Sequence, residues 1–263
     1  MGFKKIIRDL FLKKDIRITN IQPNNELHKF LLTINPIETN YELIRVGGNA
    51  DGGYLIPNDL DGIKHCFSPR VSTVANFEND LTLRGITCFL ADFSVEKPPI
   101  ENKLFDFEKK YLGPEDSHNF FRLESWINKK LKKYGDLILQ MDIEGAEYGV
   151  LLETKEEVLK KFRIIVIEFH YLDSLLDPLG FELIKLSFSK ILKDFEIVHI
   201  HPNNCSKPIK HKDIEIPPVL EITFLRKDRI KSASKTLSFP HALDITNVME
   251  NQDFPLPKSW YRS

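Results

Sequence analysis

Two stretches near the middle of the chain constrain it most: "DLILQMDIEG", residues 136–145, and "RIIVIEFH", residues 163–170. Each is an almost unbroken apolar run that gives way abruptly to ionisable residues. A strand this continuously apolar has both faces covered, as inside a parallel sheet flanked by helices. "AEYGVLLETKEEVLKKF" between them has helical periodicity. The alternation continues on either side. Strands are predicted at "IKHCFS", "ITCFLAD", "KLFDFEKKYL", "EIVHIHPNN" and "PPVLEITFLRKD", and helices at "STVANFENDLTLRG", "FRLESWINKKLKKYG" and "DPLGFELIKLSFSKILKDF". This pattern predicts an α/β fold with a mostly parallel sheet and helices on both faces, over residues 41–230. The helix after the first strand is expected to begin at a Ser72 or Thr73 cap and to stop at Gly85. "YELIRVGGNADGGYLIPNDL" reads as two short strands joined by a tight glycine turn.

The flanks read differently. Residues 1–40 are expected to be helical and peripheral, and residues 231–263 to form a tail laid over the domain. The start carries Phe3, Ile6, Ile7, Leu10 and Phe11 among Lys4, Lys5, Arg8, Lys13 and Lys14. This is an amphipathic helix, expected to pack on the domain or to fray, with a membrane-surface role as the alternative. Gly2 lacks the Ser or Thr at position 6 that myristoylation needs. No apolar run approaches the roughly 20 residues of a membrane span. A formal charge of −1 gives no global field for nucleic acid, and "INKKLKKYG" reads as a solvated helix face. Cys66, Cys88 and Cys205 form no CxxC pair, which fits free thiols in a reducing, cytoplasmic setting.

Ligands of such sheets bind beyond the carboxyl ends of the strands. Those ends carry Ser68 and Arg70, Asp92, Asp142 and Glu144, Glu168 and His170, and His201 with Asn203. Asp92 follows the second strand by the spacing at which a carboxylate accepts hydrogen bonds from an adenosine ribose. Glu168 and His170 lie on one side of their strand by period two. His170 can then take a proton from a hydroxyl while Glu168 orients it, or the two can simply secure the strand end. Asp142, Glu168 and His170 can also hold a divalent cation, a reading ranked below direct base catalysis. Glu147 falls in the first helical turn after Gly145, where a carboxylate caps. His201 and Asn203 can contact substrate or be ordinary strand-end and loop residues. Gly52 and Gly53 can let backbone lie against a ligand.

"LQMDIEGAEYGVL" followed by "IVIEFH" resembles the FkbM-like S-adenosylmethionine-dependent methyltransferases, whose strand ends in D-x-E-G-A-E and is followed by a helix and a strand ending in E-x-H. "RLESWI", "GGNADGGYLIP", "FLADFS", "HPNN" and "LEITFLRKD" support the resemblance, which spans roughly residues 41–228 and points to a divergent branch. It implies a seven-stranded Rossmann-like class I methyltransferase sheet, S-adenosylmethionine as cofactor and O-methylation of a glycan or small-molecule hydroxyl. By position, it implies that Ser68 to Val71 face the methionine part of the cofactor, Asp92 the ribose and Asp142 the reactive methyl. Glu168 and His170 would lie on the substrate side, with Glu144, His201 and Asn203 as further acceptor contacts. Arg70 stands where the branch would carry glycine, so it either closes the pocket or binds the cofactor carboxylate bidentately. The alternative reading is a non-catalytic methyltransferase-like binding module.

Overall fold

The computed structural model describes residues 3–133, 135–236 and 238–262; the side chains of Phe3, Lys4 and Ile6, and all of Gly2, lie outside the described residues. Among the described residues no helix is long and apolar enough to cross a membrane. The central sheet comprises β1 (His65–Pro69), β2 (Thr87–Ala91), β3 (Phe105–Glu108), β4 (Leu137–Met141), β5 (Phe162–Phe169), β6 (Phe195–Pro202) and β7 (Leu220–Arg226). Its strand order is β6-β7-β5-β4-β1-β2-β3. β7 runs antiparallel to β5 and β6, and the other neighbours are parallel. This is the seven-stranded class I methyltransferase sheet that the resemblance implies.

The apolar runs follow from this architecture. Ile165 and Ile167 face one core, and Ile164 and Val166 face the other. The helices are α1 (Phe3–Leu12), α2 (Asn24–Thr33), α3 (Asn76–Thr82), α4 (Leu123–Lys130), α5 (Glu147–Glu153), α6 (Glu156–Leu159) and α7 (Pro178–Ile191). Of these, α2, α4, α5, α6 and α7 feed the first core, where Phe67 packs on Trp126 and Phe169 on Phe188 with centroids 4.9 and 4.7 Å apart. On the second face lie α3 and the antiparallel hairpin of Leu43–Val46 and Tyr54–Pro57. The Thr223 hydroxyl ties that hairpin to β7 by donating to the Leu55 carbonyl at 2.7 Å.

Several boundaries differ from expectation. α3 begins at Asn76 rather than at Ser72 or Thr73, and no side chain caps it. Arg70 and Ser72 take positive φ of 62° and 40°, so the chain loops before it can coil. The helix expected to reach Gly135 stops at Lys130, because Leu131 is already extended. The helix after β4 breaks into α5 and α6 where Thr154 and Lys155 take extended backbone.

Residues 10–21 of the amino-terminal arm are exposed throughout. α2 does pack, setting Phe30 edge-on against Phe181 and Phe188 of α7. The carboxyl-terminal segment crosses the domain surface. Ala233–Lys235 pairs with Ile37–Thr39, and the buried Trp260 indole donates to the Glu215 carbonyl at 2.9 Å.

Candidate active site

The parity that sorts apolar residues between two cores also sorts the polar ones. Ser68, Gln140 and Glu168 have the parity of Cys66, Ile138 and Val166, which face the hairpin side. Glu168 stands directly opposite Glu221 across β5 and β7, and Glu221 opposite His201 across β7 and β6. A row of buried polar side chains therefore lines the carboxyl edge of the sheet beneath the hairpin.

His170 follows β5 at the centre of this edge. Its Nδ1 lies 3.2 Å from Glu147 Oε1. That oxygen also accepts the backbone N–H groups of Ile143 and Gly145, at 3.0 and 3.1 Å. The carboxylate thus holds the proton on Nδ1 and leaves Nε2 as the free, basic nitrogen. Nε2 faces Glu168, Glu144 and Asp142 oxygens at 3.6, 3.7 and 3.8 Å. The Tyr148 hydroxyl donates to the His170 carbonyl at 2.7 Å and fixes the backbone beneath the ring. Gly145 has φ of 102°, and a Cβ there would lie 2.5 Å from the Tyr171 ring, so this turn requires glycine.

The electrostatics are uneven. Burial disfavours charge on His170, but its bond to Glu147 and the charges of Glu147, Asp142 and Glu144 outweigh this and raise its pKa. Burial raises Asp142 to about 6, with His170 opposing. Burial also raises Glu168 well above the carboxylate range, helped by Asp142 and Glu221. Glu221 is pushed up to about 7 by burial. Asp142 Oδ1 is buried without a hydrogen-bond partner.

A polar cleft of about 160 Å³ opens beside Asp142, lined by Asp51, Tyr54, Arg70, Val71, Asn76 and Glu144 among others. Arg70 spans it in an ion pair with Glu144 at 2.9 Å, both side chains being partly exposed. Ligand sites generally offer about 300–1,000 Å³, so the cleft is narrow with this bridge in place. An exposed pair of this kind is worth about 0–1 kcal/mol, a small barrier to opening. A larger cavity of about 500 Å³ lies between Ile37–Leu43 and the tail segment around Phe239. It includes His199 but not the carboxyl edge where His170 and Asp142 meet.

The structure brings together Asp142, Glu144, Glu168 and His170, and sets Arg70, Val71 and Gly52 on the adjoining cleft. Other expected site residues do different work. Asp92 is fully buried and accepts from Ser72 N–H, Ser94 N–H and the Ser94 hydroxyl, so it anchors the loop after β1 instead of facing a ribose. Ser68 is buried beneath the cleft, between Glu78 and Gln140. Gly53 lies against the Gly47 and Gly48 carbonyls inside the hairpin, where a Cβ would clash. His201 is buried against Asn247 and Asp244 and secures the tail. Asn203 donates to Glu168 at 3.1 Å, orienting that carboxylate rather than meeting a substrate directly.

Sequence reasoning overlooked Glu78, Gln140, Tyr54, Glu221 and Asp51, and gave Glu147 only a capping role. A lone Glu221 in the apolar "VLEITF" was the available signal. Gln140 donates to the Tyr54 hydroxyl at 3.1 Å, and both line the cleft. The Ser68 hydroxyl reaches Gln140 Oε1 at 2.8 Å and also contacts Glu78. It has one proton, so when that goes to Gln140 the Glu78 carboxyl must bring its own. Burial, which raises Glu78 to about 7, agrees with a protonated carboxyl.

Among the described residues two donor sets could hold a hard cation: Asp142, Glu147 and His170, and Asp51, Glu168 and Glu221, with one ligand atom per residue mutually within 4.8 Å. For S-adenosylmethionine, the fit is to the amino-acid end. The unpartnered Asp142 oxygen suits a cationic group, and the Arg70 guanidinium suits a carboxylate.

Residues 121–190 match the family model of the methyltransferase FkbM domain. No curated protein matches the chain in sequence. Among solved structures the chain is similar to the fibrillarin pre-rRNA processing protein of Methanococcus jannaschii, at 9% identity over 72% of this chain and 83% of that one, TM-score 0.39. It is also similar to the N-terminal domain of EvdMO1, solved in the presence of SAH and D-fucose, at 10% identity over 80% of this chain and 99% of that one, TM-score 0.34. The matched segment carries both Asp142 and His170 and supplies two neighbouring strands of the seven-stranded sheet, Leu137–Met141 and Phe162–Phe169.

Proposed function

We propose that this protein is an S-adenosylmethionine-dependent O-methyltransferase whose acceptor is a hydroxyl of a glycan or small metabolite. The observation that carries the reading is the His170 arrangement. Glu147 fixes Nδ1, and Nε2 is left basic at the edge of a cleft beside Asp142. The cofactor supplies an activated methyl group on a sulfonium centre, so the protein must chiefly align the acceptor and accept its proton. His170 Nε2 takes the hydroxyl proton, and the imidazolium so formed is stabilised by Glu147, Asp142 and Glu144. Asp142 and Arg70 would hold the amino-acid end of the cofactor. Arg70 must leave Glu144 to do so, which frees the cleft mouth and a carboxylate for acceptor hydroxyls.

The test follows methyl-labelled S-adenosylmethionine into a panel of hydroxylated acceptors, with an alkaline wash of the products. A methyl ether on a hydroxyl survives alkali, whereas a methyl ester on a carboxylate is hydrolysed. Alkali-stable label that disappears in His170→Ala while cofactor affinity persists supports the reading. Alkali-labile label, label on nitrogen, or cofactor binding without turnover on any acceptor contradicts it; the last favours a binding module.

A further inference from the structure

The amino-terminal arm carries a dense run of exposed apolar side chains. Leu10, Phe11, Leu12, Ile16, Ile18 and Ile21 are all exposed large apolar side chains within twelve residues of chain. Isolated exposed apolar residues are ordinary, but a contiguous run marks an interaction surface. The arm is not simply adrift. The Thr19 hydroxyl donates to Asp177 at 2.9 Å, and Gln22 N–H donates to the Leu176 carbonyl at 2.8 Å. Asp177 caps α7, so the arm joins the domain at the start of that helix. α7 itself exposes Leu179, Leu183 and Leu186, spaced by four and three residues and therefore aligned along one face.

Charge identifies what this surface fits. Residues 4–17 contain six basic residues, Lys4, Lys5, Arg8, Lys13, Lys14 and Arg17, against Asp9 and Asp15, a net +4 in a chain whose formal charge is −1. The remainder of the chain is therefore net acidic. Lys5, Arg8, Lys13, Lys14 and Arg17 are exposed, interleaved with the apolar residues. A protein partner's core interface would favour apolar and aromatic residues with few lysines. Apolar side chains set among lysine and arginine match a bilayer surface, where the former enter the acyl boundary and the latter meet anionic headgroups.

We propose that the amino-terminal arm docks this protein on an anionic lipid bilayer, with the outer face of α7 alongside. Among the described residues, no side chain of the arm lines the reaction cleft, so docking leaves the methyl-transfer site free and stands or falls independently of it.

The experiment is co-sedimentation of the full chain with vesicles of phosphatidylcholine alone and with 30% phosphatidylserine. Binding to the anionic vesicles at least about 10-fold stronger than to the neutral ones is expected, falling with added salt. Lys13→Glu with Lys14→Glu should weaken it about 10-fold or more. Phe11→Ser with Leu12→Ser should weaken it at either lipid composition. These residues are exposed, so the variants should fold as the parent does, checked by circular dichroism. Absence of binding to the anionic vesicles overturns the proposal, as does binding that the variants leave unchanged. A concentration-dependent dimer abolished by Leu183→Glu, without vesicle binding, assigns the surface to a second copy and also overturns it.

Discussion

The two ends of the central sheet handle charge in opposite ways. At the end where β4 and β5 begin, buried charges meet their opposites. Arg163 bonds Asp136 at 2.8 Å and Asp59 at 3.2 Å, Arg226 reaches Asp136 at 2.7 Å, and Arg229 reaches Asp59 at 2.7 Å. Burial alone would raise Asp136, yet bonds to Arg226 and Arg163 bring it below the ordinary carboxylate range. At the carboxyl end, Asp142, Glu168 and Glu221 crowd together, and burial raises all three. Like charges directly opposite across a sheet are destabilising, as Glu168 and Glu221 are. One end is built to be stable. The other keeps carboxylates uncompensated, a pattern that clusters where a protein binds or reacts.

Substitutions should therefore act oppositely at the two ends. The largest effect is expected from His170→Ala, which should lower turnover about 10²–10⁴-fold while leaving cofactor affinity nearly intact. Equal loss of both, seen by steady-state kinetics and calorimetric titration, would remove it as the base. Arg163→Ala should leave Asp136 to Arg226 alone and Asp59 to Arg229 alone, and cost about 1.5–3 kcal/mol in urea unfolding. A loss below about 1 kcal/mol would break the claim that the opposite end is held by paired charge.

Glu78 sharpens the comparison through pH. Its folded pKa of about 7 lies above its ordinary value of 4.5, so the native state holds the proton more tightly than the unfolded chain. The associated stability is fully present below about pH 4.5 and is lost as pH rises through 7, by roughly 3 kcal/mol. Glu78→Gln should flatten that slope in urea titrations at pH 5 and 8; an unchanged slope would assign the pH dependence elsewhere. The smallest effect is the most diagnostic in sign. Glu168→Gln should stabilise the fold at pH 8 by about 1 kcal/mol, because it removes one of two facing carboxylates, while reducing turnover. Destabilisation of that size would mean that this end is compensated after all.

The sheet was legible in the sequence because period and apolarity are local. "LILQM" and "RIIVIEF" can only be strands covered on both faces, and the motif between them fixed which ends to inspect. Glu168 and His170 were legible for the same reason, being two residues apart on one strand. Glu221 was not, because its pairing with Glu168 depends on the register of an antiparallel strand some fifty residues away. His201 looked available until the tail supplied Asn247 and Asp244, whose placement no local pattern reveals. Asp92 had the right position and spacing, but the positive φ at Arg70 and Ser72 folds the loop back so that Ser72 N–H takes one of its oxygens. A cap at Ser72 failed through that same turn.

The central claim is that the carboxyl end of the sheet, beside Asp142 and Arg70, takes an S-adenosyl cofactor. Thermal unfolding with S-adenosylhomocysteine tests it most directly, using the wild type and Arg70→Ala. Ligand at a hundred times its dissociation constant should stabilise the wild type by about 2.7 kcal/mol, and Arg70→Ala should need more ligand for the same shift. No shift at millimolar S-adenosylhomocysteine would contradict the claim.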